Sequence, residues 1–206
     1  MTAMNLLADA TPQQLTARGF SWEHLLRWEP LPGEGIRVAV PPGTDYFRDP
    51  AGEFVLDNGP YLWLSATGDF VATLHVRPVF ARMYDGGGIL VRHDEAHWAK
   101  LCFEATNFGT TAAISVATRG LSDDANGVDL AVPNLWLQVC RVGDAFGMHY
   151  APDGASWRKV RRFHLALPPT VRVGIFGQSS REVGTTVDFL HFSVEMRTVA
   201  NMREGV

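Results

Sequence analysis

The chain is short of cysteine, of net charge and of long apolar runs, and each shortage removes a class of protein. It holds two cysteines in 206 residues, Cys102 and Cys140, both inside apolar strand-like stretches. No CxxC and no Cys/His zinc spacing occurs, so a disulfide scaffold or zinc module has no framework. Two isolated cysteines of this kind read as buried, reduced thiols. A disulfide between them has nothing in the sequence to support it. Lysine and arginine number 18 against 22 aspartates and glutamates, a net charge of −4. A nucleic-acid binder needs a basic face, and this balance argues against one. No apolar run approaches the ~20 residues of a membrane span. The first residues, MTAMNLLADATPQQ, lack the basic and apolar segments of a secretory signal. No Asn-x-Ser/Thr acceptor appears. Together these features lead us to expect a cytoplasmic protein that engages neither membrane nor nucleic acid.

Amphipathic helices are scarce as well. In their place stand about ten or more short runs with period-two alternation, separated by Gly, Pro, Asn and Asp. Residues 70–77 put Phe70, Ala72, Leu74 and Val76 on one side and Val71, Thr73, His75 and Arg77 on the other. Such a pattern predicts an all-β, two-sheet antiparallel jelly-roll sandwich in one domain. We expect a lead-in at 1–19, the domain at 20–197 and a tail at 198–206. The segment 41–54 reads as a Pro/Gly-rich loop and 119–134 as a long polar loop. The basic run WRKVRR (157–162) reads as an edge strand protected by charge. A homodimer through sheet edges is compatible with this pattern, but no exposed apolar strand calls for it.

The densest set of polar side chains at strand spacing is YDGGGILVRHDEAHWAKLCFE, residues 84–104. It predicts two strands, near 86–93 and 97–105, and a polar turn between them. Alternation places Ala99, Leu101 and Phe103 in the core. Trp98, Lys100, Cys102 and Glu104 share the opposite face, with Lys100 and Glu104 ~13 Å apart along the strand. Arg92 joins them if the first strand presents Gly88, Leu90 and Arg92 to the same side. In LWLQVCRV, Trp136 and Gln138 form another mixed face, which a curved sheet would bring to the same cleft. Indole rings beside Arg, Lys, Glu and Gln suit a sugar, with rings on its C–H faces and polar groups on its hydroxyls. The predicted ligand residues are therefore Arg92, Trp98, Lys100, Glu104, Trp136 and Gln138, with Tyr84 and Asp85 at the rim.

Other motifs carry less. HDEAH (93–97) lacks the HExxH order and lies at a hairpin, so it reads as a polar turn rather than a metal site. Asp85 before three glycines has no helix behind it to make a phosphate loop; glycines there mark a bulge or a close backbone approach. No metal or organic cofactor is expected. Glu104 with Asp85 is the pair a glycoside hydrolase would use as acid and base. No GxSxG elbow is present. The readings are thus a carbohydrate- or small-metabolite-binding protein, a carbohydrate-active enzyme, or a regulatory interaction module without a small-molecule site.

Taken in order, the hairpin, ISVATRGLSDD, LWLQVCRVGDAFGMHYAPDGASWRKVR, VRVGIFGQSS and VDFLHFSVE resemble a bacterial and fungal domain family of unknown function. TDYFRD (44–49) and DNG (57–59) fit its amino-terminal half. That family carries the label "regulation of enolase" after a yeast member. The resemblance spans roughly residues 20–196 and implies a concanavalin A-like lectin/glucanase jelly roll with a concave groove. It implies no particular reaction. This chain has Gly86-Gly87 where the family commonly has Gln-Ala, and Asp124 where it has Trp. Its aromatics after Asp45, Tyr46 and Phe47, are also shifted. The absent Gln and Trp would line the cleft, so a family ligand preference does not carry over.

Overall fold

A computed structural model describes residues 3–205 of the chain. One short helix, α1 (Pro12–Ala17), precedes sixteen strands. They are β1 (Ser21–Glu23), β2 (Arg27–Pro30), β3 (Ile36–Val40), β4 (Tyr46–Arg48), β5 (Val55–Asp57), β6 (Tyr61–Thr67), β7 (Phe70–Pro78) and β8 (Gly86–Arg92). There follow β9 (His97–Ala105), β10 (Thr111–Arg119), β11 (Leu121–Asp129), β12 (Leu135–Val142), β13 (Ala145–Ala151), β14 (Arg158–His164), β15 (Thr170–Gln178) and β16 (Thr185–Glu195). Two seven-stranded sheets form, ordered β1-β6-β15-β8-β9-β10-β11 and β14-β13-β12-β7-β16-β3-β2. Every pairing is antiparallel. No helix among the described residues is long and apolar enough to cross a membrane.

The core follows from alternation. Ile89, Val91, Leu101, Phe103, Val173 and Ile175 of the first sheet meet Leu74, Val76, Leu137, Val139, Phe189 and Phe192 of the second. All are essentially removed from water. Burial of such side chains, ~1.5–3 kcal/mol each, is the main force holding the sheets together. Both central strands of the hairpin are buried on two faces, because the outward side of the first sheet is covered too.

The glycines of β8 permit close strand approach. A Cβ on Gly88 would lie 2.1 Å from the Leu101 carbonyl oxygen and 2.6 Å from the Cys102 Cα. Both are backbone atoms in a paired strand and cannot step aside. Gly88→Ala is therefore expected to lower the unfolding free energy by at least ~3 kcal/mol in urea titration.

Three expectations change. The segment 119–134 is not a loop throughout: Leu121–Asp129 is an edge strand paired with β10. Its side chains are mostly exposed and polar, so no apolar alternation marks it. The segment 41–54 contains β4, which pairs with β5 as a separate ribbon. The segments outside 20–197 also belong to the packed unit. Leu7 and Leu15 enter the main core, and Thr11 and Gln14 form a capping box on α1. Val199 packs with Val71 and Cys140, and Met202 offers its carbonyl to His149 Nε2 at 3.0 Å. Each terminal segment buries too few apolar residues to show a period. The basic β14 is an edge strand, as its charge predicts.

Candidate functional site

Strand register fixes the outward face of the first sheet. Arg92 lies opposite Trp98, Leu90 opposite Lys100, Gly88 opposite Cys102 and Gly86 opposite Glu104. Arg92, Trp98, Lys100, Cys102 and Glu104 therefore share one face, the one turned away from the sandwich core. Phe176 and Gln178 join it from β15, and Ile114 and Val116 from β10.

The β4–β5 ribbon lies over this face. Asn58 accepts the Asp45 amide at 3.0 Å and donates to the Gly43 carbonyl at 3.0 Å, which closes the base of the ribbon. Arg48 donates through Nε to the Gly120 carbonyl at 2.6 Å, and its amide donates to Ser122 Oγ at 2.9 Å. Those bonds tie the ribbon to the β10–β11 turn. The Tyr46 ring is the buried anchor, edge-on to Tyr61, Trp98 and Phe176 at 5.8–6.4 Å. At one end, Asp57 takes the Arg92 guanidinium in a two-pronged pair at 2.5 and 2.7 Å.

A cleft of about 410 Å³ remains between ribbon and sheet. That is the size of a small-ligand site. Lys100, Glu104, Ile114 and Val116 form its floor, and Phe47, Phe54 and Leu56 form the ribbon wall. Asp45, Tyr84, Ser180 and Arg181 stand at the polar end, and Asp124 reaches in from β11. The Phe47 and Phe54 rings lie 6.0 Å apart, tilted by 31°, and Phe54 is half exposed.

One hydrogen-bond chain crosses the polar end. Lys100 Nζ donates to Asp45 Oδ1 at 2.6 Å and to Gln178 Oε1 at 2.8 Å. Gln178 Nε2 donates to Glu104 Oε2 at 2.9 Å and to the Tyr84 carbonyl at 3.1 Å. The Gln178 amide orientation is thus set by an ammonium on one side and two acceptors on the other. Cys102 Sγ also donates to Glu104 Oε2, at 3.2 Å. The second Glu104 oxygen has no protein partner among the described residues, and the residue lines the cleft. Besides Lys100, Asp45 accepts from the Tyr46 amide at 2.7 Å and the Ser180 hydroxyl at 2.8 Å.

Burial and charge set the protonation states. Burial pushes the Glu104 carboxyl up to about 7; Lys100 pulls it down, Asp45 pushes it up, and the Cys102 and Gln178 hydrogen bonds pull it down. Burial works to lower Lys100, but Asp45, Cys102 and Glu104 together hold it above its ordinary value. The Cys102 thiol is driven well up by burial and by Glu104, so it is no nucleophile at neutral pH.

Of the predicted residues, Tyr84, Lys100 and Glu104 converge on the cleft. Arg92 and Trp98 share the face but are covered. Arg92 is spent on Asp57, and Trp98 is 1% exposed beneath the ribbon, with its indole N–H on the Glu95 carbonyl. Trp136 and Gln138 lie on the other sheet, because β12 pairs with β7 and β13. Trp136 stacks on His75 there at 4.4 Å. No curvature of one sheet brings them to this cleft. Asp85 is a structural residue rather than a rim or acid–base group. It is fully buried, with Oδ1 accepting from Ser179 Oγ at 2.6 Å and Oδ2 from the Ala81 and Arg82 amides at 2.9 and 2.7 Å. Its role is to hold the turn that presents Tyr84 at φ 70°, a left-handed conformation unusual for a bulky residue. Asp85 is thus outside the cleft, and the Glu104–Asp85 acid–base pair is not assembled there. In HDEAH, Asp94 accepts from the Ala96 amide at 2.8 Å and pairs with His97 Nδ1 at 2.9 Å.

Sequence reasoning missed Asp45, Phe47, Phe54, Gln178, Ser180 and Arg181. Asp45 and Phe47 sit in TDYFRD, and Gln178 and Ser180 in GQSS, two stretches already noted; Phe54 and Arg181 lie just beyond them. Only their placement over the sheet turns them into a site.

The molecule is thus a jelly-roll sandwich with a ribbon-covered cleft on one outward sheet face. The chain belongs to the family described as "Protein of unknown function (DUF1349)", whose model matches residues 26–197. It is similar to "Regulation of enolase protein 1" of Saccharomyces cerevisiae, 28% identical over 152 residues, covering 73% of this chain and 76% of the yeast protein. A crystal structure of a functionally unknown protein from Saccharomyces cerevisiae superposes with a TM-score of 0.80 at 24% identity, over 86% of this chain and 96% of that one. The carbohydrate binding module CBM66 from Bacillus subtilis superposes with a TM-score of 0.56 at 12% identity, over 94% and 99%. At those identities both structural likenesses speak to fold alone.

Proposed function

We propose that this protein binds a small polyhydroxylated molecule, a sugar or a close relative, in the cleft between the β4–β5 ribbon and the first sheet. The observation that carries this reading is the Lys100–Gln178–Glu104 chain, ordered by its own hydrogen bonds and open to the cleft at one Glu104 oxygen. Preformed polar groups beside an apolar wall are the usual make-up of a small-ligand site. Phe47 and Phe54 offer ring faces for C–H groups, while Glu104 and Ser180 offer acceptors for hydroxyls. The resemblance to a module named for carbohydrate binding supports the same choice.

A thermal-shift panel of neutral sugars and sugar acids tests it. A ligand at about 100 times its Kd adds ~2.7 kcal/mol to the folded state, a shift of several degrees. Phe54→Ala is expected to weaken binding roughly 3- to 10-fold through lost ring contact. Trp136→Ala, on the opposite sheet, leaves binding unchanged. No shift with any sugar, or equal loss in both variants, contradicts the reading.

A further inference from the structure

Arg181 stands out among the cleft residues. Its guanidinium makes no hydrogen bond or ion pair to the protein among the described residues. Its Nε is removed from solvent and still unpartnered. The cation sits over the Tyr84 ring at 5.0 Å, and both residues line the cleft. The neighbouring acids do not explain it. Asp45 already accepts from Lys100, Tyr46 and Ser180 and makes no ion pair with Arg181. Asp124 lines the cleft from the exposed edge strand β11 but forms no ion pair with Arg181. Glu104 is held by Gln178 and Cys102 through one oxygen. Elsewhere in the molecule, arginines facing carboxylates form close pairs, as Arg92 does with Asp57 and Arg37 and Arg77 do with Asp188. Arg181 alone in the cleft is positioned and left open.

A guanidinium presents its N–H groups as a flat fork that fits a carboxylate with two parallel hydrogen bonds. The guanidinium carbon sits over the Tyr84 ring, whose face favours a cation and holds the fork at this end of the cleft. Tyr84 is in turn fixed by its left-handed backbone, by its amide on the Ala105 carbonyl at 2.7 Å and by Gln178 on its own carbonyl. The same Gln178 orients Glu104, so the fork and the hydroxyl acceptor belong to one rigid unit.

We propose that the cleft takes a sugar acid, with its carboxylate on the Arg181 fork and its hydroxyls reaching Glu104 and Ser180. This rests on the small-polyol reading above and names the ligand class. Lys100 does not supply the anion contact, because Asp45 already neutralises it. The apolar ribbon wall covers the ring of the ligand while its charged end stays at Arg181.

Isothermal titration of the full chain with D-glucuronate, D-glucose and the phosphate ester of glucose tests the assignment. D-glucuronate is expected to bind at least ~10-fold more tightly than D-glucose. Arg181→Met should erase that preference, weakening D-glucuronate ~10- to 100-fold while D-glucose stays unchanged. Arg181→Lys should restore only part of it, because an ammonium lacks the fork. Equal binding of acid and neutral sugar, indifferent to Arg181→Met, overturns the sugar-acid assignment and leaves the polyol reading standing. Binding of the phosphate ester without D-glucuronate overturns the carboxylate class. Binding of none of the three overturns both inferences. Arg181 is partly exposed and makes no side-chain bond, so both variants should keep the wild-type unfolding midpoint.

Discussion

Lys100→Met is expected to lower the unfolding free energy by ~3–5 kcal/mol, the largest effect of any single polar substitution in the cleft. Lys100 is 2% exposed, and its ammonium is the counter-ion of the nearly buried Asp45 at 2.6 Å. Removing one partner leaves a carboxylate with two remaining hydrogen bonds and no opposing charge. It also strips Gln178 Oε1 of its donor. Methionine keeps the volume, so the loss is electrostatic rather than a cavity. Asp45→Asn keeps an acceptor for the Tyr46 amide and removes the stranded charge. The double variant should therefore lose less than the two single losses combined, by ~1–3 kcal/mol in a double-mutant cycle. Strict additivity would mean that Lys100 and Asp45 are not coupled. Urea titration of the four proteins reads this directly.

Glu104→Gln is expected to change how stability depends on pH. In the folded protein Glu104 keeps its proton up to about 7, whereas its ordinary value is 4.5. Between those limits the folded state holds more protons than the unfolded state, so stability falls as pH rises. From pH 5 to pH 8 this group should remove ~2–3 kcal/mol. Burial lowers the pKa of His75, His149 and His191, so those groups push the opposite way as pH rises. The readout is therefore the difference between variant and wild type across pH, in which the histidines cancel. Glutamine preserves the acceptor for Gln178 and Cys102 and turns its amide N–H toward the cleft. The variant should match the wild type near pH 5 and exceed it near pH 8. A constant difference across that range would mean that Glu104 titrates normally.

The hairpin shows how far local pattern reaches. Alternation alone separates Leu101 and Phe103 from Lys100 and Glu104, and the register of β8 against β9 brings Arg92 to the same face. Such faces are legible because side chains of a strand alternate strictly. What covers a face is not local. Trp136 and Gln138 have the right chemistry, yet sheet membership is decided by pairing across long stretches of chain. Trp98 looks like a stacking platform until Tyr46 lies on it. The ribbon that does so comes from a Pro- and Gly-rich stretch that reads as a loop, since three-residue strands carry no period. Asp85 reads as a rim acid because its neighbours are glycines. Its carboxylate instead satisfies two amides and a hydroxyl from separate segments, which only the closed fold brings together. Exposed β11 escapes notice for the opposite reason, as its residues face water on both sides.

Ligand is expected to enter the cleft between the β4–β5 ribbon and the first sheet. Amide chemical-shift mapping of the full chain during titration with D-glucuronate tests it most directly. Perturbations are expected at Asp45, Phe54, Tyr84, Glu104, Ser180 and Arg181, with the surroundings of Trp136 and Gln138 silent. Shifts centred on the Trp136–His75 face, or saturating binding with no change at Tyr84 and Glu104, would contradict it.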